Sequence, residues 1–178
     1  MLAAPRRYPL DVTRIAPKLY QGAFPSVPVA AAGFEVLVLC AIELQRRPNE
    51  VGLTTLHCPI TDDGSPITPN EWAMAIQTSG IIARRVARGQ RTLVTCAQGR
   101  NRSGLLVALT LYRLTDMSGR QTVEHIRGLR AGALENDFFV QRLLRLPHKG
   151  RLYRPDARGR SQRGFARAAE LLGLDSRD

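Results

Sequence analysis

Apolar residues in this chain cluster into short runs of strand length, separated by longer stretches with helical periodicity. The runs at 34–40, 56–60 and 92–95 are rich in apolar and β-branched residues, which favours strands buried in a sheet. A further run at 15–22 predicts one short strand that ends at a glycine turn. Because strands alternate with helices through long crossovers, we expect an α/β fold with a central, mostly parallel sheet flanked by helices.

Capping signals mark where the helices begin. Thr68-Pro-Asn-Glu71 predicts a capping box with proline at the first helical position, and the residues after it are apolar on one helix face. Residues 105–111 are apolar almost all round, so the helix that contains them should be central and buried. Ser118 and Asn136 are expected to cap two later helices, the first of which should turn inward Val123, Ile126 and Leu129.

Length and composition limit the class of protein. With 178 residues, of which 44% are hydrophobic and 23% charged, the chain suits one globular domain. No apolar run reaches the ~18 residues that a membrane-spanning helix needs, and the N-terminus lacks the apolar core of a signal peptide. We divide the chain into an N-terminal extension at 1–14, a domain at 15–146 and a basic C-terminal extension at 147–178. That last segment has the spacing of a short helix at Phe165, Ala168, Ala169 and Leu172.

Charge and cysteine content bear on partners and compartment. The net charge of +11 comes from 24 Arg and 2 Lys against 15 acidic residues. This excess either attracts polyanions such as RNA or acidic lipid, or reflects only a solvated, arginine-rich surface. Three cysteines at unrelated spacings fit neither a disulfide framework nor a metal site. We therefore expect a reducing, cytoplasmic compartment, and no metal or cofactor.

The segment from Cys96 to Arg102 offers a candidate reactive site. It connects the predicted strand at 92–95 to the buried helix at 105–111. A helix N-terminus presents unpaired N–H groups and a positive dipole end, which bind anions and favour a thiolate. Arg102 adds a planar fork of donors that matches phosphate oxygens, and Gly99 allows a tight bend that turns successive amides inward. The segment therefore predicts a nucleophilic sulfur inside a phosphate cradle.

A second pair of residues with the same spacing, Cys40 and Arg46, serves as a control. The segment between them has no glycine, and it carries Glu43, whose charge would repel phosphate. No hydroxyl residue and no apolar helix follow it. The spacing alone is therefore uninformative, and the strand, glycine and helix around Cys96 carry the signal.

The segment Cys96-Ala-Gln-Gly-Arg-Asn-Arg102-Ser103-Gly resembles the signature loop of the cysteine-dependent dual-specificity phosphatases, which belong to the protein tyrosine phosphatase superfamily. The resemblance covers roughly 15–146, and it includes the Leu-Tyr-x-Gly strand at 19–22. One departure is Thr95, where the family usually has histidine. Arg130 lies in a run that resembles a family helix whose arginine braces the phosphate loop.

The resemblance implies a role for each residue of this segment. Cys96 would be the nucleophile, Arg102 would hold the phosphate, and Ser103 would donate a hydrogen bond to the departing thiolate. The phosphate-binding loop would comprise Arg102 and the five residues before it, Ala97, Gln98, Gly99, Arg100 and Asn101.

Two aspartates compete for the role of general acid. Asp62 and Asp63 lie in a polar turn directly after the predicted strand at 56–60. The resemblance places Asp62 on the family's acid position, and Asp63 is the competing choice. Both could also be ordinary turn residues, since Asp-Gly is a common turn pair. A phosphate ester needs a proton donor, which favours a catalytic role for one of them.

The implied function is hydrolysis of phosphate monoesters, on phosphotyrosine or phosphoserine/threonine proteins, through a cysteinyl-phosphate intermediate. Two alternatives stay open. The run Gly99-x-Asn101-Arg102 also resembles the loop of RNA 5′-triphosphatases of this superfamily, and the positive charge agrees with RNA binding. The chain could instead be a non-catalytic module that binds phosphorylated partners, with Thr95 as the mark of lost activity.

Overall fold

A mixed sheet of five strands forms the centre of the structure, a computed structural model that describes residues 10–46 and 49–147. The strand order is β1-β2-β5-β3-β4, and only β1 runs antiparallel to its neighbour. The bounds are β1 Val12–Ala16, β2 Leu19–Ala23, β3 Val36–Ala41, β4 Thr54–Ile60 and β5 Thr92–Cys96. The expected mostly parallel sheet is confirmed.

Four α-helices follow the predicted capping signals: α1 Pro69–Ala87, α2 Arg102–Leu114, α3 Gly119–Leu129 and α4 Asp137–Leu144. Thr68 with Glu71, and Ser118 with Gln121, form complete capping boxes. Asn136 caps α4, because its side chain accepts hydrogen bonds from two backbone N–H groups. These helix starts were predictable because a cap is a local pattern of side chain and backbone.

The core lies mainly between the sheet and the helices. Residues 105–111 of α2 are all buried, as predicted, and α1, α3 and α4 add buried residues to the same cluster. A smaller cluster covers the other face of the sheet, and consists of Val29, Phe34, Leu37, Leu39 and Leu93. Each fully buried large apolar side chain contributes roughly 1.5–3 kcal/mol of transfer free energy. Burial of α2 therefore fixes its first turn, which carries the candidate site.

Two local predictions are wrong. The run at 15–22 is not one strand, because β1 and β2 form an antiparallel hairpin that turns at Pro17 and Lys18. Lys18 has φ 66°, a left-handed conformation that its residue type does not signal. Leu129 was expected to face inward but is 48% exposed, since the helix ends there and the buried side chain of the next residue, Arg130, takes the inward position.

The basic C-terminal segment, including its expected short helix, lies outside the described residues, apart from Pro147. Among residues 10–46 and 49–147, no helix combines the length and apolar character that crossing a membrane requires.

Candidate active site

The loop between β5 and α2 lies at the carboxyl end of the parallel strands, where ligands of such sheets bind. It begins at Cys96 in the middle of the sheet, because β5 pairs with β2 on one side and β3 on the other. Within the described residues, none of the peptide N–H groups of 97–101 donates a hydrogen bond. Together with the N-terminus of α2, these free donors make the loop an anion-binding cradle.

Gly99 permits the sharp bend of this loop. Its φ is 65°, and a Cβ at this position would overlap the backbone of Gly22 and Ala23 in β2 and would lie 2.6 Å from Nη2 of Arg130. Only glycine satisfies both the left-handed backbone and the close approach of β2.

Arg130 braces the loop from outside, as expected. Its Nε donates to the carbonyl of Gly99 at 2.6 Å, and its Nη2 donates to the carbonyl of Gln98 at 3.3 Å. Asp11 holds the same guanidinium through two hydrogen bonds of 2.9 and 2.7 Å. These hydrogen bonds lower the pKa of the Asp11 carboxyl.

Gln21 supports the loop from the sheet. This fully buried side chain donates from Nε2 to the carbonyls of Gly99, at 3.0 Å, and Arg100, at 3.2 Å. The loop carbonyls therefore point at protein donors, which leaves the opposite side of the loop to its N–H groups. Sequence reasoning did not assign Gln21 or Asp11 to the site.

The Cys96 thiol lies at the bottom of the cradle with 3% of the residue exposed. Its Sγ is 3.4 Å from the hydroxyl oxygen of Ser103, within hydrogen-bond distance for sulfur. Thr95 does not contribute a group to the thiol in this arrangement, because its hydroxyl donates to the carbonyl of Val38 at 3.0 Å. The threonine therefore links β5 to β3.

Arg102 is 8% exposed and has an incomplete set of hydrogen bonds. Its two Nη atoms donate to both carboxylate oxygens of Glu43, at 2.6 and 2.9 Å. Its Nε is buried without a hydrogen-bond partner in the described part of the chain. Oδ2 of Asp62 lies 3.8 Å from this Nε. A buried N–H of a charged group without an acceptor is costly, so this donor favours an incoming anion.

Glu43 is the site residue that sequence reasoning missed most clearly. The sequence indicates only that the charge of Glu43 would repel phosphate. In the structure, Glu43 lies in the short 3-10 helix Ile42–Leu44 directly after β3. Since β3 pairs in parallel with β5, the residues that follow both strands meet at the same edge of the sheet. Hydrogen bonds from Arg102 lower the pKa of the Glu43 carboxyl.

The two candidate acids lie in different surroundings. Asp62 is half-buried and accepts a hydrogen bond at Oδ1 from Nδ2 of Asn136, at 2.8 Å. Asp63 is exposed and accepts from the backbone N–H and hydroxyl of Ser65, at 3.0 and 2.6 Å. The Ser65 hydroxyl, with its N–H, lowers the pKa of Asp63. Asp62 therefore lies beside Arg102 of the loop, whereas Asp63 accepts its hydrogen bonds from Ser65 within its own turn.

Gln98 and Arg100 are the exposed residues of the loop. Arg100 pairs with Glu135 at 3.7 Å, and both side chains are about half exposed or more. A cleft of about 740 Å³ lies beside the loop and is lined in part by Ala97, Gln98, Arg100, Leu129 and Arg130. The described residues contain no cluster of three or more histidine, cysteine or acidic side chains that could hold a metal ion.

The chain is similar to known proteins both in sequence and in structure. The mouse protein named cyclin-dependent kinase inhibitor 3 is 29% identical over 111 residues, which is 57% of this chain and 51% of that protein. The chain therefore spans about half the length of the curated relatives it matches. No protein-family model matches the chain.

Two solved structures illustrate the shared fold. OH1 from the Orf virus, described as a tyrosine phosphatase with triple substrate specificity, is 26% identical with a TM-score of 0.61, covering 80% of this chain and 90% of that one. Human DUSP28 is 25% identical with a TM-score of 0.64, covering 76% and 91%. The fold and its order of elements are thus those of known phosphatase structures.

Proposed function

Since this chain belongs to the dual-specificity phosphatase family, in the protein tyrosine phosphatase superfamily, we propose that it hydrolyses phosphate monoesters with Cys96 as the nucleophile. The observation that carries the proposal is the buried Nε of Arg102, which has no hydrogen-bond partner among the described residues and lies in the same loop as the Cys96 thiol. The peptide N–H groups of 97–101, which donate no hydrogen bond within the described part of the chain, would complete the binding of a tetrahedral dianion.

In the proposed first step, the thiolate Sγ of Cys96 attacks phosphorus, so that a P–S bond forms while the bond to the leaving oxygen breaks. Arg102 and the loop amides bind the nonbridging oxygens, whose charge they stabilise in the transition state. Asp62 transfers its proton to the leaving oxygen. The alcohol or phenol then departs and leaves a cysteinyl-phosphate.

In the second step, the Asp62 carboxylate takes a proton from a water molecule, which attacks phosphorus. The P–S bond breaks, and inorganic phosphate is released. Ser103 donates a hydrogen bond to the departing thiolate of Cys96, from the 3.4 Å position it already occupies.

We propose phosphotyrosine or phosphoserine/threonine proteins as substrates, and a reducing, cytoplasmic compartment that keeps the thiol reduced. The activity is assigned to the domain at 15–146 together with Asp11 and the whole of β1, because Asp11 holds the arginine that braces the loop. The basic composition, concentrated again in the extension at 147–178, would add salt-sensitive attraction to polyanionic partners.

The test compares phosphotyrosine peptide, phosphoserine peptide and 5′-triphosphate RNA on one preparation of the full chain, with Cys96→Ser as the control. We expect the wild type to release phosphate from at least one peptide and the variant to release none. Preferential release from RNA would instead favour an RNA 5′-triphosphatase. Binding of phosphopeptide without release would favour a non-catalytic module.

A further inference from the structure

The connection between α3 and α4 is fastened to the phosphate loop. Leu134, fully buried with φ 58°, donates its N–H to the carbonyl of Arg100 at 3.3 Å. Its carbonyl accepts from Nη2 of Arg127 at 2.6 Å. Its side chain packs over Gly104, where an added Cβ would approach the leucine to 3.0 Å. A buried residue held in a left-handed conformation by several contacts is fixed in place.

A loop residue also holds the next two residues of this connection. Oδ1 of Asn101 accepts hydrogen bonds from the backbone N–H groups of Glu135, at 2.8 Å, and Asn136, at 3.1 Å. The position of the Asn136 backbone is therefore set by a side chain of the phosphate loop itself.

The amide of Asn136 has only one orientation that satisfies its neighbours. Its Oδ1 accepts from the N–H groups of Phe138, at 3.0 Å, and Phe139, at 3.3 Å, which form the cap of α4. The amide nitrogen must then point away from α4. It donates to Oδ1 of Asp62 at 2.8 Å. With the amide flipped, Nδ2 would face the N–H groups of Phe138 and Phe139, and Oδ1 would face the carboxylate of Asp62.

We propose that Asn136 is a positioning residue for the general acid, an inference that rests on the proposed function. By holding Oδ1 of Asp62, it leaves Oδ2 on the side of Arg102, 3.8 Å from its Nε, where the leaving oxygen of a bound ester would lie. Asn101 ties this arrangement to the phosphate loop, so that the cradle and the acid are set together. Asn136 acts through Asp62 and does not touch the ester.

The effect of such a residue should depend on the leaving group. Asn136→Ser keeps an oxygen that can cap α4 but lacks the amide donor. For phenyl phosphate, whose leaving group needs a proton, we expect kcat/KM to fall roughly tenfold, which is the typical worth of a hydrogen bond to a charged group. For 2,4-dinitrophenyl phosphate, which needs no proton, we expect kcat/KM to change by less than about twofold. The ratio kcat/KM is compared because it reports the departure of the leaving group, whereas kcat also includes hydrolysis of the cysteinyl-phosphate that both esters share.

A double-mutant cycle with Asp62→Asn tests whether Asn136 acts through the acid. In the Asp62→Asn background, Asn136→Ser should cause no further loss with phenyl phosphate. Ser118→Ala, which removes the cap of α3, controls for helix destabilisation: it should lower the melting temperature without changing the ratio of the kcat/KM values for the two esters. Asn136→Asp, which keeps the cap oxygen and opposes the carboxylate with a like charge, provides a second variant if the serine folds poorly.

The outcomes separate the two proposals. Equal losses on both substrates, or full additivity with Asp62→Asn, would overturn the positioning role while leaving the phosphatase in place. An unchanged kcat/KM for Asp62→Asn with phenyl phosphate would refute Asp62 as the general acid, and the positioning role with it. A wild-type chain that hydrolyses neither ester would overturn both.

Discussion

Arg102 and Glu43 form a two-bonded ion pair in which each Nη atom faces one carboxylate oxygen, at 2.6 and 2.9 Å. The pair occupies the two Nη atoms and leaves Nε with no hydrogen-bond partner among the described residues, so Nε stays available to donate to an anion. The geometry therefore gives Glu43 an orienting role, although its charge alone would repel phosphate.

Glu43→Gln should weaken the competitive inhibition by inorganic phosphate and lower kcat/KM by roughly tenfold, because a misoriented guanidinium loses transition-state contacts. Steady-state kinetics with an aryl phosphate would measure both effects. Glu124→Gln, at an exposed position of α3, is the matched control and should change neither. Tighter phosphate binding in Glu43→Gln would show that repulsion outweighs orientation.

Cys96→Ser and Cys40→Ser should have opposite phenotypes. Cys40 is fully buried, and burial raises the pKa of its thiol well above the usual range, so it is expected to remain an inert core thiol. Cys96→Ser should abolish hydrolysis of an aryl phosphate and keep vanadate affinity within about tenfold, since the amides and Arg102 remain. Turnover in Cys40→Ser should persist, and an exchange of the two phenotypes would refute the assignment.

Asp62→Asn should lower kcat by roughly 10²–10⁴ for esters with poor leaving groups, which is the usual worth of a positioned acid. Asp63→Asn should leave kcat nearly unchanged, because Asp63 is bonded to Ser65 within its own turn. Rates over a series of substituted phenyl phosphates would separate the two variants. A steeper dependence on leaving group in Asp63→Asn than in Asp62→Asn would move the acid by one residue.

Gly99→Ala should lower activity by more than the strain of a left-handed alanine can explain, because the added Cβ also meets neighbouring atoms. Gly89 provides the control, since its φ of 82° is also left-handed but nothing lies within 4 Å of an added Cβ. Gly89→Ala should cost about 1–2 kcal/mol of stability, and leave kcat intact. At Gly99 the Cβ would displace β2 or Arg130, so we expect a loss of kcat/KM of about 10² or more from the shifted loop. Equal activity in the two variants would contradict this account.

The free energy of unfolding should decrease at low pH, because two carboxylates that form ion pairs in the folded protein become protonated. Hydrogen bonds from Arg102 and Arg130 lower the pKa values of Glu43 and Asp11 below their ordinary values of 4.5 and 3.8. A carboxyl with a lowered folded pKa stabilises the protein above its unfolded pKa and loses that contribution as pH falls through the folded value.

Urea titrations should therefore give a free energy of unfolding that is steady near neutral pH and falls below about pH 4. Both side chains are substantially exposed, at 49% and 60%, so each contribution should be small. Glu43→Gln should reduce the decline. A free energy of unfolding that rises on acidification would count against both ion pairs.

Local patterns were enough to predict the strands at 34–40 and 92–95, the capped helices and the loop between β5 and α2. The signal failed where contacts depend on sheet order. Glu43 reaches the loop from the short 3-10 helix after β3, Gln21 from β2 and Asp11 from the residue before β1. No spacing along the chain marks these three residues. The turn at Lys18 was not predictable either, because nothing in the sequence indicates that this lysine adopts a left-handed conformation.

The pairing of Asp11 with Arg130 joins two points that are 119 residues apart in the chain. Because this contact is so distant in sequence, we expect the brace of the loop between β5 and α2 to form late in folding, after β1 and the end of α3 have come together. A fragment trimmed to begin at Ile15 would keep every residue of the loop and lose this anchor. The minimal catalytic unit should accordingly be sought with the first hairpin intact, starting no later than Leu10.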